Sequence, residues 1–167
     1  MPFTPFHFGP GALLHAVAPR QVSFLSFCAA NVLIDLESLY NLVHDRHPVH
    51  AFLHTYVGAS IVIVAMAVVF LLARALARRA RLQHLWRWRP LGLRQVLLGA
   101  ALGAYSHVVL DSVMHGDIEP LQPFAASNAL WSAIPLSALH LACLASGLVA
   151  LMVMATRWFV MGDDDER

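Results

Sequence analysis

Charge is scarce in this 167-residue chain: Asp, Glu, Lys and Arg make up 13% of it, against 59% hydrophobic residues. An ordinary soluble domain carries about 25% charged residues, so this composition excludes that class and a disordered chain alike. Cysteine is nearly absent. Cys28 and Cys143 stand in apolar stretches with no CxxC spacing, which argues for small buried residues rather than a disulfide or a thiolate metal site. The first residues, Met1 to His7, lack the basic lead of a cleavable signal peptide and are expected to stay on the mature protein. No internal repeat or low-complexity tract appears.

What the chain has instead is long apolar runs. Roughly 20 apolar residues cross about 30 Å of hydrocarbon, and the runs predict an all-α fold: a polytopic membrane helix bundle, one integral membrane domain over residues 1–167. The expected helices cover about 5–19, 22–42, 49–77, 93–115 and 132–160, the last four transmembrane and the first a short N-terminal helix. Pro48 suits the start of the third. Gly99 and Gly103, at GxxxG spacing beside Ala100 and Ala104, predict a close helix approach within the chain. Arginine gathers at Arg74, Arg78, Arg79, Arg81, Arg87, Arg89 and Arg94, interleaved with Trp86 and Trp88. By the positive-inside bias and aromatic anchoring, 74–94 reads as a basic cytoplasmic loop rather than a nucleic-acid surface. That predicts a cytoplasmic C-terminus, with the acidic tail Asp163–Arg167 solvated.

The polar residues are the exception to the grease. His107, Asp111 and His115 follow one another at intervals of four, and so form a polar stripe on one helix face. Intramembrane ionisable groups need a partner, a water-filled cavity or an ion, because burying them alone costs several kcal/mol. At about 1.5 Å per residue, Arg20 to His7 rises ~20 Å, Arg20 to Asp35 ~22 Å, Arg74 to His54 ~30 Å, Arg94 to His107 ~20 Å and Arg94 to Asp111 ~26 Å. Separate segments thus bring His7, Asp35, His50, His54, His107 and Asp111 to one level near the periplasmic face. These six are the expected metal ligands.

His50/His54 and His107/Asp111 are each spaced i, i+4, the pairing with which helical bundles build metal sites. Imidazole with carboxylate favours zinc, then manganese or iron, over copper(I) or calcium. His50, His54, His107 and Asp111 are expected to hold the principal ion. Asp35 and His7 complete that site or hold a second ion about 3.5–4 Å away. Asp35 and Glu37 are about 200° apart around a helix, so one ligates and the other stands behind it. Glu37 is the expected general base, with Asp35 the other catalytic carboxylate. His115, behind the ligands, and the loop through Asp117 and Glu119 would cover the mouth. His15, His84 and His140 lack acidic or histidine partners and read as structural, and His44 and His47 as loop residues.

The ordered set resembles the bacterial family of membrane-bound metal-dependent hydrolases. The matching residues are His7, the acidic pair in Ile34-Asp35-Leu36-Glu37, the block Val49-His50-Ala51-Phe52-Leu53-His54-Thr55, and His107-Val108-Val109-Leu110-Asp111-Ser112-Val113-Met114-His115, followed by Pro123-Phe124. Family members look like H, D-x-D, H-R-G-x-T-H-S, then H-x-x-x-D. Ala51 and Phe52 replace that arginine and glycine, Thr55 the serine, and Glu37 an aspartate. The family's ligand pattern is similar in outline to zinc-dependent phospholipase C, which implies phosphoester hydrolysis. The expected function is therefore hydrolysis by a metal-activated water of a phosphoester or other bond in a lipid-type substrate, with the bilayer as partner. The alternatives are a metal ion or proton transporter, a bis-histidine haem protein and a purely structural membrane protein.

Overall fold

The computed structural model describes residues 5–80 and 91–164, so Arg81, His84, Trp86, Arg87, Trp88 and Arg89 of the basic tract lie outside the described residues. Five α-helices are described: α1 (Phe8–Val17), α2 (Phe24–Val43), α3 (Tyr56–Arg79), α4 (Leu93–Met114) and α5 (Leu136–Asp164). Single 3-10 turns at Pro5–His7 and Phe52–His54 precede α1 and α3. Among the described residues there is no strand.

Among the described residues three helices, not four, are long and apolar enough to cross a membrane: Tyr56–Arg79, Leu93–Met114 and Leu136–Val160, with mean hydropathies of 2.6, 1.5 and 2.1. The expected fourth, α2, falls short because its inner face is polar. Ser26, Asn31, Asp35, Ser38 and Asn41 recur every three to five residues and are all buried. In contrast, α3 and α5 turn Val64, Val69, Leu72, Leu141, Leu148 and Leu151 outward, each more than 60% exposed. A continuous apolar surface of that kind belongs against lipid or another protein, not water.

The core is the meeting of α2, α3 and α4. Ala30 and Ile34 of α2, Ala59 and Val62 of α3, and Ala100, Ala104 and Val108 of α4 pack there. The crossing of α2 and α4 is close because Gly99 and Gly103 face it: a Cβ at Gly99 would stand 2.3 Å from the Ser23 carbonyl oxygen, and one at Gly103 2.5 Å from that of Phe27. The start of α4 is tied to the same place, since Gln95 Nε2 donates to the Arg20 carbonyl at 2.8 Å and the Ser23 N–H donates to the Gln95 carbonyl at 3.2 Å. Helix α5 packs on α1, where Phe6 stacks on His140 with ring centroids 4.4 Å apart and Arg157 Nη1 donates to the Ala16 carbonyl at 2.5 Å. Arg157 thereby satisfies a carbonyl left open at the end of α1.

Two helix starts differ from the sequence reading. The third helix begins at Tyr56, not near residue 49, because other segments take the backbone donors ahead of it. The N–H of His50 goes to Asp117 Oδ2 at 3.2 Å, that of Leu53 to Glu37 Oε2 at 2.6 Å, and that of Tyr56 to the Pro120 carbonyl at 2.9 Å. Thr55 is extended (φ −101°, ψ 158°) and its hydroxyl accepts the Gly58 N–H at 2.9 Å, an N-cap that fixes where α3 starts. His50 and His54 therefore do not share a helix face. The last helix begins at Leu136 rather than near 132, since Ser132 adopts a left-handed φ of 57° and the helix starts only after Pro135.

Gly103→Val should lower stability by about 1–3 kcal/mol through overpacking of the α2–α4 crossing. Thermal unfolding in detergent micelles would show this as a clear loss against Gly92→Ala, a position where a Cβ meets only Gln95 Oε1, at 3.7 Å.

Candidate metal centre

Two aspartates and two histidines converge inside the bundle. Asp35 comes from the middle of α2, His54 from the 3-10 turn ahead of α3, and His107 and Asp111 from successive turns of α4. All four are buried, His54 and His107 completely. One donor atom from each lies within 4.8 Å of every other. His107 Nε2 stands 3.3 Å from both Asp35 Oδ1 and Asp111 Oδ2. His54 Nε2 is 3.4 Å from His107 Nε2, 3.6 Å from Asp111 Oδ2 and 4.0 Å from Asp35 Oδ1.

These separations are those of donors around a small cation. Four ligands at about 2.0–2.1 Å from a tetrahedral ion stand about 3.3 Å from each other, close to most of the edges seen here. The charges fit as well, since two carboxylates with neutral imidazoles sum to −2 and a divalent ion brings the total to zero. Three buried polar atoms around the cluster, His7 Nε2, His54 Nδ1 and Asp111 Oδ1, make no hydrogen bond. Asp35, His54, His107 and Asp111 thus lie close enough to hold a metal ion.

The tautomer of His107 follows from its neighbours. Asn31 Nδ2 donates to the Phe27 carbonyl at 2.8 Å, which fixes the amide so that Oδ1 faces His107 Nδ1 at 2.9 Å. Nδ1 of His107 must then carry the proton, and Nε2 presents its lone pair to the two carboxylates and His54. An acceptor behind a ligating imidazole is the usual device for orienting it. His7 sits against the same Nδ1, at 3.2 Å through its own Nδ1, while its Nε2 lies 3.2 Å from Asp111 Oδ1. Since His107 Nδ1 donates, His7 Nδ1 accepts and His7 Nε2–H faces Asp111. Its place is beside the carboxylate, outside the four-atom group.

Glu37 stands behind His54. Its Oε2 accepts the Leu53 N–H at 2.6 Å and lies 3.9 Å from His54 Nδ1, the nitrogen turned away from the cluster. Ser38 Oγ is 3.4 Å from His54 Nε2. His50 is buried beside the group with its ring centroid 4.8 Å from that of His54, and it clusters with Asp111 and His115 rather than with the four. Burial and the neighbouring His54 push the His50 pKa below its ordinary value against the pull of Asp117, so the ring is neutral at pH 7. Burial would raise the Asp117 carboxyl, but the bonds it accepts from the His50 backbone and ring outweigh this and hold it below the usual carboxylate range.

The remaining histidines have other partners. His15 Nδ1 donates to the Val22 carbonyl at 2.7 Å, His44 Nδ1 to that of Tyr40 at 2.8 Å, and His47 is exposed in the loop. Asn31 and the carboxylate of Asp117 acting on His50 are absent from the sequence reading. The signal for Asn31 was its place one helical turn before Asp35 in an apolar run. Comparisons with protein-family models, curated proteins and solved structures each return no match.

Asn31→Leu removes the acceptor that orients His107 and should weaken zinc binding about 10–100-fold. Calorimetric titration of the detergent-solubilised variant checks this, with far-UV circular dichroism showing the helices intact; wild-type affinity in a folded variant would remove Asn31 from the site.

Proposed function

We propose that this chain is a membrane-embedded, metal-dependent hydrolase acting on a phosphoester or related bond of a lipid-type substrate. The observation that carries the reading is the convergence of Asp35, His54, His107 and Asp111 at near-tetrahedral separations inside the bundle. The resemblance of the ordered His and Asp blocks to membrane-bound metal-dependent hydrolases supports the same class. Zinc is the proposed ion, because two imidazoles and two carboxylates at these spacings suit it better than a hard cation bound by oxygen alone. When bound, such an ion polarises a phosphoryl or carbonyl oxygen and acidifies water.

The chain's own residues do the rest. Asn31 accepts from His107 behind its ring, Glu37 stands 3.9 Å behind His54, and His7 stands against the second oxygen of Asp111. The Asp35 side chain is 9% exposed against 2% for Asp111, so Asp35 is the more accessible of the two carboxylates. Glu37 Oε2 accepts the Leu53 N–H and lies 3.9 Å from His54 Nδ1. The lipid-facing surfaces of α3 and α5 favour a substrate that arrives from the bilayer. We place the centre on the periplasmic side of a bacterial inner membrane, opposite the arginine-rich tract.

One observation favours transport instead: the buried polar stripe of α2 runs on through Ser26 to Ser23. Phe27, between Ser26 and Asn31 along the helix, is wholly buried with its ring against Gly11 of α1. The adjacency of two carboxylates to the histidines leaves no room for a porphyrin between the rings.

Purified protein should carry about one or two zinc ions per chain, and His54→Ala and Asp111→Ala should each lose the buried one. Elemental analysis alongside release of phosphate head groups from mixed micelles tests this. Hydrolysis should vanish on chelation and return with zinc. Metal-free protein indifferent to added zinc, manganese and iron sinks the proposal, as does zinc uptake into proteoliposomes without hydrolysis.

A further inference from the structure

We propose that a second cation position, formed by His50, His115 and a carboxylate oxygen of Asp111, adjoins the first, so that Asp111 bridges two ions and the reaction takes place at the second. The inference rests on the metal reading above and deepens it. One donor atom from each of the three residues lies within 4.8 Å of the others. The rings of His50 and His115 stack, 30° from parallel with centroids 4.1 Å apart.

The chain prepares each ligand. His50 Nδ1 is 3.0 Å from both oxygens of Asp117, so Nδ1–H donates and Nε2 keeps its lone pair. A carboxylate behind an imidazole in this way is the common mark of a metal ligand. His115 follows the last residue of α4 in extended backbone (φ −121°, ψ 123°), its N–H still bound to the Asp111 carbonyl at 2.8 Å. Asn128 Nδ2 donates to the carbonyls of Ser112 and His115, at 2.8 and 3.2 Å, and fixes that helix end. Independently of the three, Asp111 Oδ2 is used by His54 and His107, while its Oδ1, in a side chain 2% exposed, makes no hydrogen bond and has His7 Nε2 as its neighbour at 3.2 Å.

The two positions differ in a way that divides their work. Four protein donors complete a tetrahedron, whereas three leave a place for water or substrate, the distinction between structural and catalytic zinc. Burial runs the same way: His54 and His107 have no exposed surface, while His115 is half-buried and Asp117 39% exposed. The inner position therefore holds the helices together and the outer one meets the substrate, a phosphate ester by the chemistry of two neighbouring divalent ions.

Titration of chelator-treated, full-length protein in micelles with zinc, followed by elemental analysis, tests this without an activity readout. Wild type should take about two ions per chain, the second more weakly, and His115→Ala only one. Asp117→Asn should weaken the second ion about 10–100-fold and leave the first unchanged. With manganese, the wild type should show the exchange-coupled paramagnetic spectrum of a bridged pair, absent in His115→Ala. One ion in wild type and in His115→Ala alike overturns the second position and leaves the hydrolase reading standing. No ion in either overturns both.

Discussion

Two carboxylates sit in the interior of a greasy bundle within 3.3 Å of the same imidazole nitrogen, and the rest of the molecule is arranged around that fact. Charge in a low-dielectric interior is tolerated only when opposite charge and hydrogen bonds surround it. Asn31, His7 and Ser38 hydrogen-bond to the two imidazoles, and Glu37 stands 3.9 Å behind His54. The glycine face of α4 supplies the proximity, because without Gly99 and Gly103 α2 would stand too far off for Asp35 to reach His107. The four donors lie close enough to hold a metal ion, whose charge would offset that of the carboxylates.

Helix α2 is the price of this arrangement. A helix that presents Ser26, Asn31, Asp35, Ser38 and Asn41 on one side cannot be apolar enough to be held by lipid alone. It is retained by α4 along that side and by α1 and α3, while its other side, with Leu25, Leu36 and Leu42, is exposed. The two most apolar, α3 and α5, expose most of their surface instead.

The sequence made part of this legible. His107 and Asp111 could be paired because four residues along an apolar helix is one turn, and helix periodicity is local. Asp35 could be placed at their level because helix rise is constant. His50 and His54 carry the same spacing as His107 and Asp111, yet they lie in a loop and a 3-10 turn. That outcome depends on Asp117, Glu37 and Pro120 capturing backbone donors from far along the chain, which no local pattern encodes. For the same reason Asn31 reads from sequence as one more polar residue, and only the carbonyl of Phe27 on one side and His107 on the other show which way its amide points. The apolar runs likewise overcounted the spans, because length was visible and the buried polar side of α2 was not.

The polar side of α2 also bears on how the chain is made. A ribosome delivers α2 before α3 and α4, so the helix least able to dissolve in lipid emerges ahead of the two that shelter it. The buried polar side of α2 therefore has no α4 to cover it until the chain has been made as far as Met114.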